Sequence, residues 1–162
     1  MMLQQLALLA AYNRQMNMQF YAACAELDEA ALMQDRGAFF KSIFGTLNHL
    51  LLVDRLWLGG FTEQNIAFSS LDEELFSTFE ELRNARLQTD ADIEHWVSSL
   101  SAEALAAPMP GRLGFPLWVT ATHFFNHQAH HRGQLSALLS QCGLDYGITD
   151  LPWVKGLDIP GA

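Results

Sequence analysis

HFFNHQAHHRGQ, residues 123–134, holds four of the six histidines in the chain. It is predicted to form the middle of a long helix running from near Pro116 to Gly143. A helix turns about 100° per residue, so positions four apart share a face. His123, His127 and His131 follow that step, and His130 sits three residues from His127. Two imidazoles at i and i+4 can hold a single metal ion. A surface helix that is merely rich in histidine is the plainer reading of the same spacing.

Helix phase narrows the choice. Leu117, Ala121, Phe124, Leu135, Leu138 and Leu139 spread around a direction about 80° from His127. His131 lies about 40° from that centre, whereas His123 and His130 fall about 120° or more away. His127 and His131 are therefore the inward pair, and His123 and His130 point toward solvent or sit behind it. A neutral imidazole on an apolar flank needs a partner, either a metal or a hydrogen-bonding group of the core.

The rest of the chain reads as helical too. Residues 2 to about 26 are rich in Leu, Ala, Met and Gln and contain no Gly or Pro, which predicts the first helix, with Met16, Met18, Phe20 and Tyr21 in or beside the core. A second helix is expected from about Ala38 to Leu58, stopped by Gly59-Gly60. His49 lies on the flank of its apolar arc. Asp54 points near the centre of that arc, so it needs an arginine or a backbone group as partner. Ser70 and Glu73 have capping-box spacing, and a third helix follows from about Asp72 to Ser98. Eight acids against two arginines between Asp72 and Glu94 predict a solvated acidic face. His95 reads as an ordinary exposed histidine. Residues 108–116, with Pro108, Pro110 and Gly111, are a loop or short hairpin, and Pro116 suits a helix start. Residues 144–162 form an irregular tail pinned by Tyr146, Trp153 and Val154. Four amphipathic segments in one 162-residue domain, spanning 1–162, make an all-α four-helix bundle. Loop 59–70 is long enough for something other than simple up-down order.

Composition removes several classes of function. Half the residues are hydrophobic, 17% are charged and the net charge is −9, so the chain is globular and a poor partner for nucleic acid or an anionic membrane. Only two lysines occur, and the seven arginines are scattered. Cys24 and Cys142 are too few for a disulfide framework and read as reduced thiols of a cytoplasmic protein. No charged start of a signal peptide and no membrane-length apolar run is present.

Known motifs are excluded in turn. No Glu stands three residues before a His, so the Glu-x-x-His pattern of di-iron bundles is missing. His-Glu-x-x-His, GxGxxG, the P-loop, Gly-x-Ser-x-Gly and Cys-x-x-Cys-His are absent as well. What remains is a mononuclear site of His127 and His131 plus a ligand from a facing helix. His49 is the only inward-leaning histidine outside the fourth helix. Three imidazoles with an open position suit a catalytic metal rather than a structural one. Cys142 lies eleven residues past His131, about 16 Å along a helix axis, too far to join.

Asn126-His127-Gln128-Ala129-His130-His131-Arg132-Gly133-Gln134-Leu135 resembles the histidine helix of the DinB family, the metal-binding four-helix bundles of the DinB/YfiT type. Asn48-His49-Leu50 followed by Asp54-Arg55-Leu56-Trp57 is similar to that family's second-helix histidine segment, and Ala11-Tyr12-Asn13 to the start of its first helix. The likeness covers the whole chain except the tail from Gly147 to Ala162. It implies that His49, His127 and His131 bind a divalent metal, usually zinc or nickel, and that the protein dimerises. Characterised relatives are transferases and isomerases that use low-molecular-weight thiols. A thiol at an open metal position loses its proton, and the thiolate is the nucleophile of S-transfer. With no cysteine near the site, the sulfur would come from a cosubstrate such as glutathione or bacillithiol, acting on a small electrophile. The alternatives are a metal-dependent hydrolase working through metal-generated hydroxide, a metal-holding stress protein without turnover, and a structural bundle with incidental histidines. Asp54, Asn126, Arg132 and Gln134 are expected to support the site or the bundle, with Arg132 neutralising Asp54.

Overall fold

The computed structural model describes residues 1–109 and 114–157. These residues are all-helical: α1 (Met2–Cys24), α2 (Glu29–Met33), α3 (Ile43–Phe61), α4 (Phe79–Ser99), α5 (Ala102–Ala106) and α6 (Leu117–Gln141), with a 3₁₀ turn at Leu151–Trp153. The four long helices form the bundle. In it α1 packs on α4 and α6, and α3 packs on α4 and α6. Consecutive long helices α1 and α3 therefore stand diagonally, as do α4 and α6. The departure from up-down order comes from the segments carrying α2 and α5; the 62–78 connection joins the neighbours α3 and α4. Among the described residues no helix is long and apolar enough to cross a membrane.

Three helix boundaries differ from the sequence expectation, each for a local reason. Residues 38–41 form a turn, and α3 starts only after Ser42, whose side chain accepts from Gly45 N–H at 2.9 Å. Gly59-Gly60 does not end α3, which runs on to Phe61. Gly59 serves packing instead: a Cβ there would lie 2.6 Å from the Ile66 side chain and 2.9 Å from the Gln64 carbonyl, because the following loop folds back onto the helix. The third expected helix begins seven residues late. Ser70 bonds Asp72 rather than capping, and Leu75 and Phe76 N–H both donate to the Asn48 side-chain oxygen on α3, at 2.9 and 3.3 Å. That anchor fits 71–76 against α3 without helical hydrogen bonds. The capping box is Thr78–Glu81, in which Glu81 N–H donates to Thr78 Oγ1 and Thr78 donates to the Glu81 carboxylate.

The hairpin expectation holds at its base, where Pro108 and Pro116 form an antiparallel bridge and Met109 N–H donates to Phe115 O; Pro110 and Gly111 lie outside the described residues. In the tail, Tyr146 packs on Phe20 at 5.3 Å between ring centroids, and Val154 is buried. Of the expected pins only Trp153 fails, being 68% exposed. Residues 158–162, including Pro160, lie outside the described residues.

The core falls into two apolar clusters. One contains Met16, Phe20, Phe44, Leu47, Leu82 and Leu139. The other contains Leu6, Ile93, Trp96, Ala121 and Phe124. Between them, at mid-height in every long helix, sits a layer of buried polar residues: Asn13 and Asn17 on α1, Asp54 on α3, Arg86 and Asp90 on α4, Gln128 and Arg132 on α6. Its charged members sum to zero. The histidines lie beside this layer, on α3 and α6.

Candidate metal centre

His49 comes from α3, and His127 and His131 from successive turns of α6. Because α3 and α6 are neighbours, the three rings meet. His131 Nε2 lies 3.2 Å from His49 Nε2 and 3.0 Å from His127 Nε2. One ring nitrogen from each residue falls within 4.8 Å of the others, so the three could hold a metal ion. His49 and His131 are buried, and His127 is half-buried.

The proton positions make this arrangement informative. His49 Nδ1 lies 2.7 Å from the Leu71 carbonyl. A carbonyl only accepts, so His49 carries its proton on Nδ1 and presents a lone pair at Nε2. His131 Nδ1 faces the Gln134 side-chain oxygen at 2.8 Å, which fixes the same tautomer. Two lone pairs thus face each other across 3.2 Å; His127, whose Nδ1 has no partner, can donate from Nε2 to one of them at 3.0 Å, and a shared cation would engage all three rings. Burial lowers the pKa of His49, with the Leu71 carbonyl and Asp54 pulling the other way. Burial likewise lowers that of His131 against the Gln134 bond. His127 is pushed down to about 3 by burial first and by the neighbouring histidines next. All three rings are therefore neutral near pH 7, as metal ligands must be. The donor set fits a divalent ion of the kind imidazole prefers.

The surroundings match the sequence expectation in part. His123 and His130 are exposed; His123 packs against Trp57 at 5.1 Å, and His130 bonds the Gln134 amide at 3.3 Å. Gln134 thus orients His131. Asn126 is exposed and does not support the site. No cysteine joins the cluster: Cys24 and Cys142 are free thiols, and burial, with Cys142 nearby, pushes Cys24 up to about 12.

Arg132 does not neutralise Asp54 by contact. Asp54 pairs with Arg86, Nη1 to Oδ2 at 2.6 Å, and Arg86 Nη2 reaches Asp90 at 2.9 Å. Asn13 and Asn17 donate to Asp90 at 3.2 and 2.9 Å, and Arg132 donates to the Asn13 oxygen. Burial pushes both carboxyls up, while Arg86 between them pulls back. Arg86 and Asp90 are absent from the sequence reading, which assigned their helix an acidic outer face. The signal was in the phase: Arg86 lies four residues after Leu82 and Asp90 three before Ile93, both on the apolar stripe that continues to Trp96 and Val97.

The fold and the cluster together define an all-helical bundle with a three-histidine centre between two neighbouring helices. The chain belongs to the DinB family, whose model matches residues 2–161. A solved DinB-like protein from Bacillus cereus ATCC 10987 superposes with a TM-score of 0.64 at 18% identity, over 82% of this chain and 89% of that one. At that identity the likeness speaks for the fold. No curated protein matches the chain.

Proposed function

We propose that His49, His127 and His131 bind one divalent metal ion, zinc or nickel, and that the loaded protein joins a low-molecular-weight thiol to a small electrophile. The facing ring nitrogens of His49 and His131, 3.2 Å apart on two buried side chains, carry this reading. A divalent ion there supplies the positive charge that favours a thiolate over a thiol. In the overall reaction the thiol's sulfur forms a bond to the electrophilic carbon; with an alkyl halide the halide departs and the thiol's proton passes to solvent, and with an epoxide the ring C–O bond breaks and its oxygen takes up a proton. Leu71 and Gln134 hold the rings in place by their Nδ1 hydrogen bonds, as carboxylates and carbonyls do behind other metal-binding histidines. The chain has no cysteine at the cluster, which leaves the nucleophilic sulfur to a second molecule. We take the working unit to be a homodimer in the cytoplasm; the apolar groove at Met1, Leu3, Leu105 and Trp118 offers a surface for it.

The test is a screen of small thiols against alkyl halides and epoxides with metal-loaded and metal-stripped protein. The loaded form should accelerate conjugation, and His127→Ala should lose both the metal and the rate. Turnover of esters or amides in place of thiol conjugation would overturn the transferase reading. Sedimentation at micromolar concentration giving only an 18.1 kDa species would contradict the dimer.

A further inference from the structure

We infer that the cavity over the histidine cluster is a subsite for an uncharged aromatic group, with Phe39 as the residue that selects it. The inference rests on the functional reading above, because it places the group beside the proposed metal. The cavity has a volume of about 330 Å³, the low end of the range for small-molecule sites. Its apolar lining is Phe39, Phe40 and Leu71, and its polar lining includes His130 and Gln134. His49 and His131 also line it, so an occupant touches two of the proposed ligands. The lining has no lysine, arginine or carboxylate. In the metal-free protein an anion would find no countercharge in that lining, and neither would a cation.

The apolar wall is held in advance. Phe40 lies flat on His49, with centroids 3.8 Å apart and planes at 17°, and meets His131 edge-on at 5.6 Å. Phe39 stands edge-on to Phe40 at 4.9 Å and is 85% exposed. A phenyl ring that far into solvent gains nothing from the core. It is kept there by the backbone of the turn. Lys41 adopts φ 63°, and the turn is closed by Lys41 N–H to Ala38 O and Arg36 N–H to Lys41 O, both at 2.8 Å. Gly45 allows the turn to sit on α3, since a Cβ there would stand 2.3 Å from the Phe40 carbonyl oxygen. Leu71 does two things at once: its carbonyl fixes the His49 tautomer and its half-exposed side chain completes the wall. An aromatic ring entering this space meets two aromatic rings, which favour edge and offset contacts.

Metal-free protein titrated with benzyl alcohol, benzoate and benzylamine, followed by backbone amide shifts, tests the subsite without any reaction. Benzyl alcohol should give saturable shifts at Phe39–Lys41, Leu71 and His130–Gln134, and the two charged analogues should bind more weakly. Phe39→Ala should weaken benzyl alcohol by about three- to tenfold, while Phe39→Tyr retains it. Because Phe39 is exposed, its variants should keep the remaining spectrum. Gly45→Ala, which displaces the turn, should weaken binding with Phe39 intact. Repeating the titration on zinc-loaded protein with 2-mercaptoethanol assigns the ring: competition places it on the thiol, and simultaneous binding places it on the electrophile, both in keeping with the subsite. Absence of saturable shifts, equal binding of benzoate, an unchanged Phe39→Ala, or shifts at Phe39 that follow protein concentration alone would overturn it. Metal content measured in parallel separates the two ideas. Benzyl alcohol bound here by a protein that takes up no metal leaves the subsite standing and removes the transferase; metal bound without these shifts does the reverse.

Discussion

The charged layer spans all four long helices and meets the histidine cluster on two of them, with Asp54 five residues beyond His49 on α3 and Arg132 next to His131 on α6, yet the two are completed differently. In the layer every charge faces an opposite charge or an amide of this chain: Asp54 and Asp90 flank Arg86, and Asn13 links Asp90 to Arg132. In the cluster the ring nitrogens face one another. Buried polar groups must be satisfied. The layer neutralises its own charges, though not every polar atom in it is hydrogen-bonded; the facing ring nitrogens of the cluster are what a bound cation would complete. On that difference rests the proposal that the layer serves stability and the cluster binding, although both are polar and centrally placed.

Uncoupling the two is the strongest way to break that contrast. Asp54→Asn leaves Arg86 short of one countercharge in a buried layer and should cost about 3–5 kcal/mol in equilibrium unfolding. Metal content per folded chain should stay the same. If the variant keeps its stability and loses its metal, Asp54 belongs to the site and the contrast fails.

Acid sharpens the comparison from the other side. The folded state depresses the histidine pKa values, and His127 goes from 6.5 to about 3. Below pH 6.5 the unfolded chain takes up protons that the folded chain resists. The stabilising contribution is thus fully present above pH 6.5 and is lost progressively as pH falls toward about 3. Metal-free protein should lose stability over that window, and His127→Ala should flatten part of the slope. A slope unchanged by His127→Ala would place the titration elsewhere.

Asn48 offers a smaller effect. Its side-chain oxygen accepts from Leu75 and Phe76 N–H, so Asn48→Ala should cost about 1–3 kcal/mol by freeing the segment that carries Leu71. Metal affinity should weaken with it, because Leu71 O orients His49. Trp153→Ala marks the low end: the side chain is 68% exposed, and unfolding should shift by less than about 0.5 kcal/mol.

The four long helices and the three histidines were legible in the sequence because each rests on a local pattern: apolar periodicity for the helices, i and i+4 spacing for His127 and His131. His49 was legible by elimination, being the one inward-leaning histidine elsewhere. Helix starts were less so. The Ser70–Glu73 spacing has the form of a cap, but Asn48, more than twenty residues earlier, holds residues 75 and 76 in another conformation, and no local rule carries that contact. Arg86 and Asp90 were hidden by composition. In a helix with many acids they read as surface, and only their register with Leu82 and Ile93 sets them inside. The pairing of Asp54 with Arg86 rather than Arg132 depends on α4 packing beside α3, which the order of helices along the chain does not dictate.

Whether a metal ion completes the histidine cluster is read from a crystal structure of protein loaded with zinc or nickel, with anomalous data collected at that metal's absorption edge. One peak per chain is expected, about 2.0–2.1 Å from the Nε2 atoms of His49, His127 and His131, and no peak there in His127→Ala. A metal bound elsewhere, or none bound by a protein whose three rings keep their arrangement, would contradict it.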